Sequence, residues 1–370
     1  MILTKLNYRE NEGKANYWKI DDLHFGMLNL IVALNATGKT RLVNVISNLA
    51  KILSKKTSIR NGIWDLEFKT DTNEKYKYKL TIVNRQIKKE EIKIGAKILL
   101  KRELDKGTIY SYKSKKKLRI RPPKNELILQ VRRDIQEFPY LEEIFEWADS
   151  FLGYQFTNVR PNTFLLVANE AEENLEDLGA TPMLLERALK DKNITKSIIE
   201  DFTCIGYPIN KVSVKSTLVS GIANPVLMTS VQENDLECEI EQLTMSQGMY
   251  RAFSMIVILN YILHQQKKCT IVIDDVGEGL DFERSSSLTK LLIKKLKGTE
   301  IQMIMTSNDR FLINTVPLKY INILERKSHI VKSYNYHNSK KIFDDFKYTG
   351  LNNFDLLSSK MFRPNGEDLG

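Results

Sequence analysis

The stretch from Leu28 to Arg41 constrains this chain most. Leu28, Leu30, Ile31 and Val32 make a short apolar run of the kind that forms a buried strand. The run breaks into Asn35, Ala36, Thr37, Gly38, Lys39, Thr40 and Arg41. Apolar residues then return at Leu42, Val43, Val45, Ile46, Leu49 and Leu53, close to helical period. A strand, a loop ending in Gly-Lys-Thr and a helix aim several backbone N–H groups at one spot, where the helix dipole adds positive potential. Lys39 can then reach β- and γ-phosphates, and the Thr40 hydroxyl can ligate Mg²⁺. One position departs from the usual loop. Ala33 stands where glycine gives the backbone its freedom, and alanine fits there only at negative φ.

Three further segments bear on the same chemistry. Cys269 to Ile273 leans apolar and ends in Asp274 and Asp275, which reads as a buried parallel strand with acids at its C-terminal edge. Placed beside the loop, Asp274 can hold Mg²⁺ through water. The two motifs are far apart, with 235 residues from Lys39 to Asp274. Small GTPases and most short P-loop enzymes keep them much closer. Upstream, Ser246, Gln247 and Gly248 precede a helix-like stretch from Ala252 to Gln265; a serine there can cap a helix, and the helix N-terminus suits an anion. Downstream, Ile301 to Asp309 reads as another buried strand ending in polar residues, Asn308 among them.

The order of these segments resembles the ABC-type P-loop ATPases of the RecF and SMC kind. More narrowly, it is similar to the stand-alone "AAA family" ATPases of prokaryotic antiphage defence systems. The likeness covers roughly residues 1–53 and 236–336, and the tail from Phe343 to Leu356 adds to it. It implies an α/β fold with a mixed sheet core, an antiparallel β lobe and a helical arm. It implies that ATP and Mg²⁺ bind Asn35 to Thr40 with Arg41 next to them, the metal held by Thr40 and Asp274. Asp275 stands where that superfamily places the Glu that polarises the attacking water. Ser246, Gln247 and Gly248 match the signature loop, which caps the γ-phosphate bound to another subunit. Gly279, Leu280 and Asp281 match the turn that crosses to that subunit, and Asn308 replaces a His that senses the γ-phosphate. Catalysis would rest on Asp275, Lys39 and Asn308 in a head-to-tail homodimer. Ala33, Asp275 and Asn308 depart from the family pattern. Asp is one methylene shorter than Glu and Asn carries no charge, so the expectation is firm ATP binding with slow turnover.

The remaining sequence divides by pattern. Residues 1–135 would form a nucleotide-binding lobe with the P-loop, and from Gly62 to about Gln130 alternating aromatic and β-branched residues predict an antiparallel meander. Residues 136–240 would be an insertion carrying the signature arm. It is helical at Tyr140 to Leu152, Thr181 to Leu189 and Ile194 to Phe202, then strand-like from Lys211 to Cys238. Residues 241–340 would hold the rest of the ATPase core, and 341–370 a C-terminal tail. Gln130 is the candidate for the glutamine that usually ligates Mg²⁺ between the lobes. No heptad run is long enough for a coiled coil.

Composition narrows the class. Hydrophobic content of 42% and charged content of 28% are those of a globular chain. Cys204, Cys238 and Cys269 are far apart and form no CxxC pair, which argues against zinc and disulfide frameworks and fits a reducing cytoplasm. The most apolar stretch, Phe253 to Leu263, is too short to span a bilayer, so no membrane partner is expected. Charge is uneven. The chain carries +10, yet residues 51–121 alone hold 22 Lys and Arg against 8 Asp and Glu. The densest part, Lys113 to Arg121, is flanked by Tyr110 and Tyr112. It can hold a nucleic-acid backbone, meet an acidic protein, or simply keep a strand face solvated. No nuclease, Toprim or protease constellation is present. A switch or scaffold acting on a separate effector protein is therefore expected, with a RecF-like DNA-repair ATPase and a non-hydrolysing scaffold as the rivals.

Overall fold

The computed structural model describes residues 1–163, 165–166, 175–176, 180–222 and 224–364. Parts of the predicted insertion and the last six residues of the tail lie outside the described residues. The chain opens with β1 (Ile2–Glu10), β2 (Trp18–His24), β3 (Leu28–Val32) and α1 (Lys39–Leu53). A meander follows: β4 (Gly62–Lys69), β5 (Lys75–Val83), β6 (Gln86–Ile94), β7 (Lys97–Glu103), β8 (Lys106–Ser111) and β9 (Lys116–Ile120). Next come α2 (Ile128–Val131), α3 (Pro139–Asp149), β10 (Leu152–Gln155), β11 (Leu165–Leu166), α4 (Thr181–Ala188), α5 (Lys192–Cys204), β12 (Ile209–Thr217), β13 (Val226–Glu233) and β14 (Ile240–Glu241). The last part is α6 (Gln247–His264), β15 (Thr270–Asp274), α7 (Phe282–Leu296), β16 (Gln302–Ser307), α8 (Arg310–Thr315), β17 (Ile321–Lys327), β18 (Ile330–Asn335), α9 (Lys340–Phe346) and α10 (Asn353–Ser358).

One 14-stranded sheet runs β10-β15-β16-β3-β17-β18-β2-β1-β4-β5-β6-β7-β8-β9. Its first five strands are parallel neighbours. β3, β15 and β16 are buried at every position, as strands covered on both faces must be, which is why their sequences read as unbroken apolar runs. The meander strands β4 and β5 alternate buried and open positions instead, the signature of a sheet with one solvated face. So the predicted antiparallel lobe is present, joined to the parallel core in a single sheet. Two cores cover the sheet. Ile31 and Ala33 face one with α1, α3 and the meander, whereas Leu28, Leu30 and Val32 face the other with α4 to α7 and the tail.

The helical segment expected from Tyr140 to Leu152 ends at Asp149, and Leu152 instead starts β10. This fifth parallel strand pairs along β15, with Gln155 opposite Asp274. The arm is short: α4 and α5 pack with a small sheet of β11, β13, β12 and β14 into the same core as α6. Among the described residues the longest helix is α6, at 18 residues. No helix of the described residues is long and apolar enough to cross a membrane. The tail is anchored: Asn353 donates to the Ile313 and Val316 carbonyls, and Phe343, Leu356 and Phe362 are core residues.

Candidate functional site: a phosphate-binding loop facing an acidic strand end

Parallel pairing brings the C-terminal ends of β3, β15 and β16 side by side, with Ser307 opposite Val32. The loop after β3 therefore meets the acids after β15. Ala36 (φ 62°) and Gly38 (φ 111°) take the loop's left-handed positions. Ala33 is not among the positive-φ residues, so alanine is unstrained where it replaces glycine. Gly38 is favoured by its positive φ, and a Cβ there would also crowd the Trp18 indole nitrogen at 3.2 Å. Lys39 folds back so that its ammonium donates to the Ala33 carbonyl at 3.3 Å. Burial lowers its pKa, and the facing Asp275 and Asp274 raise it. The uncapped N-terminus of α1 and the Lys39 ammonium thus put positive potential at the cleft.

The acids are held by Thr306, a fully buried residue of β16. Its hydroxyl donates to Asp274 Oδ1 at 2.7 Å and accepts from the Asp275 N–H at 2.9 Å. Asp275 sits in the left-handed region at φ 52°, which Asp adopts more readily than most residues, and it lines the cleft facing Lys39. Burial first, and then Asp274, raise the Asp275 pKa, while Lys39 opposes them. Asn308 closes the third side, donating to Asn35 Oδ1 at 2.9 Å. A cleft of about 390 Å³ results, lined by Asn35 to Arg41, Asp275 and Asn308. A second, of about 370 Å³, continues it past Asp275 to Leu280 and past Asn308 to Arg310. Arg41 braces the loop: its guanidinium binds Glu10 and the Asn16 carbonyl and lies over Trp18.

The signature segment stands elsewhere. Ser246 caps α6 by accepting from the Met249 N–H at 3.1 Å, and Ser246 and Gln247 are exposed. Neither they nor Gly248 line the loop cleft. Gly248 instead packs on the turn after Asp275, where a Cβ would come within 2.1 Å of the Gly279 carbonyl oxygen. Asp281 caps α7, accepting from the Arg284 N–H at 2.9 Å and from its guanidinium at 2.6 Å. The segment from Asp275 to Asp281 therefore links the two regions, one end lining the cleft and the other touching α6.

Gln130 does not bridge the lobes. Its amide donates to the Ile52 carbonyl and accepts from the Leu127 N–H, so it closes the C-terminal end of α1. That helix has 15 residues, which at ~1.5 Å per residue puts Gln130 about 20 Å from Lys39. Gln155 is the better-placed glutamine. It ends β10 beside Asp274 and donates to Asn44 of α1. Sequence reasoning also passed over Thr306 and Arg251. The buried Arg251 guanidinium ties α6 to the Glu278, Val159 and Thr157 carbonyls at 3.0, 3.1 and 2.8 Å. The one available signal was a charged residue inside an otherwise apolar helix.

The class defined by this sheet, loop and acidic strand end is the α/β ABC-type ATPase fold. Two solved structures sharpen it. The chain is similar to an SMC head bound to the C-winged helix domain of ScpA, with 13% identity and TM-score 0.54 over 92% of this chain and 100% of that one. It is similar also to the Pyrococcus furiosus SMC head with an extended coiled coil bound to the C-terminal domain of ScpA, with 11% identity and TM-score 0.52 over 93% and 99%. No family profile matches the chain, and no curated protein matches its sequence. The likeness is therefore one of fold.

Proposed function

We propose that this chain binds ATP with Mg²⁺ at the cleft of Asn35 to Thr40 and hydrolyses it slowly between two copies. The observation that carries the reading is the Thr306 clamp, which sets two carboxylates opposite Lys39. The donor set suits Mg²⁺. Among the described residues no group of three His, Cys, Asp or Glu side chains could hold a metal alone, and Mg²⁺ is usually held by one or two protein oxygens together with phosphates and water. Thr40 and Asp274 would supply those oxygens; the ion would neutralise phosphate charge. Lys39 would hold the β- and γ-phosphates, Asp275 would orient the attacking water, and Asn308 would donate one hydrogen bond near the γ-phosphate. Ser246 to Gly248 of a second copy would close the cleft, because this copy's own segment is packed away from it.

Such a site makes a switch. ATP-linked pairing would hold or release a separate effector protein, which on family resemblance belongs to antiphage defence. The two SMC heads were solved with ScpA domains, which supports a separate partner protein here too. Phosphate release by wild type, Lys39→Ala and Asp275→Ala tests the enzyme reading. Release above background in wild type alone is expected; background in all three leaves a non-hydrolysing scaffold. A second reading rests on β9, the edge strand of the sheet. Its Lys116, Lys117 and Arg119 are exposed and have no carboxylate partner among the described residues, so duplex DNA could lie along it in a RecF-like manner. Salt-sensitive DNA binding that responds to ATP favours that reading; no binding at low salt removes it.

A further inference from the structure

A cleft larger than the two at the P-loop lies at the other end of the parallel strands. Leu28 begins β3 and Ile321 begins β17, and both line a cavity of about 720 Å³ that reaches the end of β18 and the C-terminal end of α7. β3 has five residues, so at ~3.3 Å per residue this cavity opens about 16 Å from the phosphate-binding loop. A cleft of this size falls among small-molecule sites.

Its lining has three parts. The first is a buried pair, Asn322 and Asn335, which face each other across β17 and β18. Both are 4% exposed, yet Asn322 Oδ1 and Asn335 Nδ2 have no hydrogen-bond partner. Buried polar atoms are normally paired, so one acceptor and one donor are left over in the cavity wall, on two facing residues. The second part is flat and largely apolar: Phe25, Tyr320, Tyr336 and the imidazoles of His24 and His337, which meet edge to face at 3.8 Å. The third is a basic rim of Lys69, Lys75, Lys297 and Lys319; Lys75 acts on Glu67 at longer range. The one acid in the lining, Glu67, is already engaged by Lys77 at 2.7 Å.

We propose that this cavity binds a nucleotide, distinct from the one at the P-loop. With both amides turned out to the cavity, a nucleobase edge offers the donor and acceptor that Asn322 Oδ1 and Asn335 Nδ2 lack, as asparagine does with adenine elsewhere. The ring stacks on the aromatic walls, and the phosphate meets the lysine rim. An apolar ligand would leave both amide atoms unpaired and bring four ammonium groups together without an anion.

The test uses full-length Lys39→Ala protein, in which binding at the P-loop is weakened, and nucleoside monophosphates, which lack the β- and γ-phosphates that Lys39 would hold. AMP, GMP, CMP and UMP are titrated by calorimetry, with inorganic phosphate as the control. At least one nucleotide is expected to bind saturably at one site per chain. The double variant Lys297→Glu with Lys319→Glu changes two exposed side chains; it should melt as the parent does and bind at least 10-fold more weakly. Asn335→Ala, if it folds, should weaken binding while leaving any phosphate affinity unchanged. The proposal is overturned if none of the four nucleotides binds, if inorganic phosphate reproduces the full signal, or if the double variant binds like its parent.

Discussion

The P-loop region and the signature region are built in opposite ways. The P-loop cleft is assembled by pairing: three adjacent parallel strands deliver Lys39, Asp275 and Asn308 to one place, and Thr306 locks the acids. The signature region is assembled by packing. Gly248 sits on the Gly279 carbonyl and Arg251 satisfies three carbonyls, so the segment is rigidly placed while Ser246 and Gln247 remain open. On the proposed reading, one region would hold phosphate within a single chain. The other is held by its own packing, with Ser246 and Gln247 open, and on the proposed reading would serve a neighbour. ATP affinity and ATP turnover should therefore separate under mutation.

The largest effect should come from Lys39→Ala, which removes a charged donor from a buried cradle. ATP affinity should fall roughly 100-fold, about 3 kcal/mol, as read by titration of monomeric protein. Gly248→Ala should leave that affinity within twofold and abolish ATP-dependent pairing on light scattering, because its Cβ must displace the Gly279 backbone. Equal losses of affinity in the two variants would erase the distinction between the regions.

Arg251→Ala comes next. It strands three carbonyls in a buried setting, which should cost about 2–3 kcal/mol of stability in urea melts. P-loop affinity should survive and turnover should not. A variant as stable as wild type would mean that the guanidinium is not what places α6. Thr306→Val should be milder in stability, about 1–2 kcal/mol, yet it acts on the other region. The Asp275 N–H loses its acceptor and Asp274 its donor, so phosphate release should drop about 10-fold, roughly 1.4 kcal/mol in barrier, with ATP still bound. Unchanged release would show that the acids hold their places without the clamp.

Much of the P-loop region was legible in the sequence, because buried parallel strands leave continuous apolar runs, and a Gly-Lys-Thr or an Asp-Asp at a run's end marks a strand edge. β10 was not legible. Its four residues follow a helix after a two-residue break, and Leu152 continues the apolar spacing of that helix. Missing β10 also hid Gln155 and turned attention to Gln130, whose position closes α1. The fit of Ala33 hinged on the sign of a dihedral that sequence does not carry. Thr306 and Arg251 were unreadable because their roles depend on partners tens to about a hundred residues away.

The smallest predicted effect concerns acid. On the small sheet that backs the signature region, Glu239 meets Lys211 at 2.8 Å and Lys215 at 2.7 Å and accepts from Ser230 at 2.8 Å. The Lys211 and Lys215 ammonium groups, with the Ser230 hydroxyl, pull its pKa down to about 2 from the usual 4.5. A carboxyl whose folded pKa is depressed stabilises the fold above its unfolded pKa and loses that contribution as pH falls through the folded one. The window is therefore pH 4.5 down to about 2. Because the cluster is partly exposed, salt should weaken it. Within this window Glu239→Gln should melt with a flatter pH dependence than wild type. Hydrogen exchange should rise first in β12 and β13, ahead of the strands that carry the P-loop. Parallel melting curves for the two proteins would mean that the ion cluster is ornamental and that the two regions share one acid response.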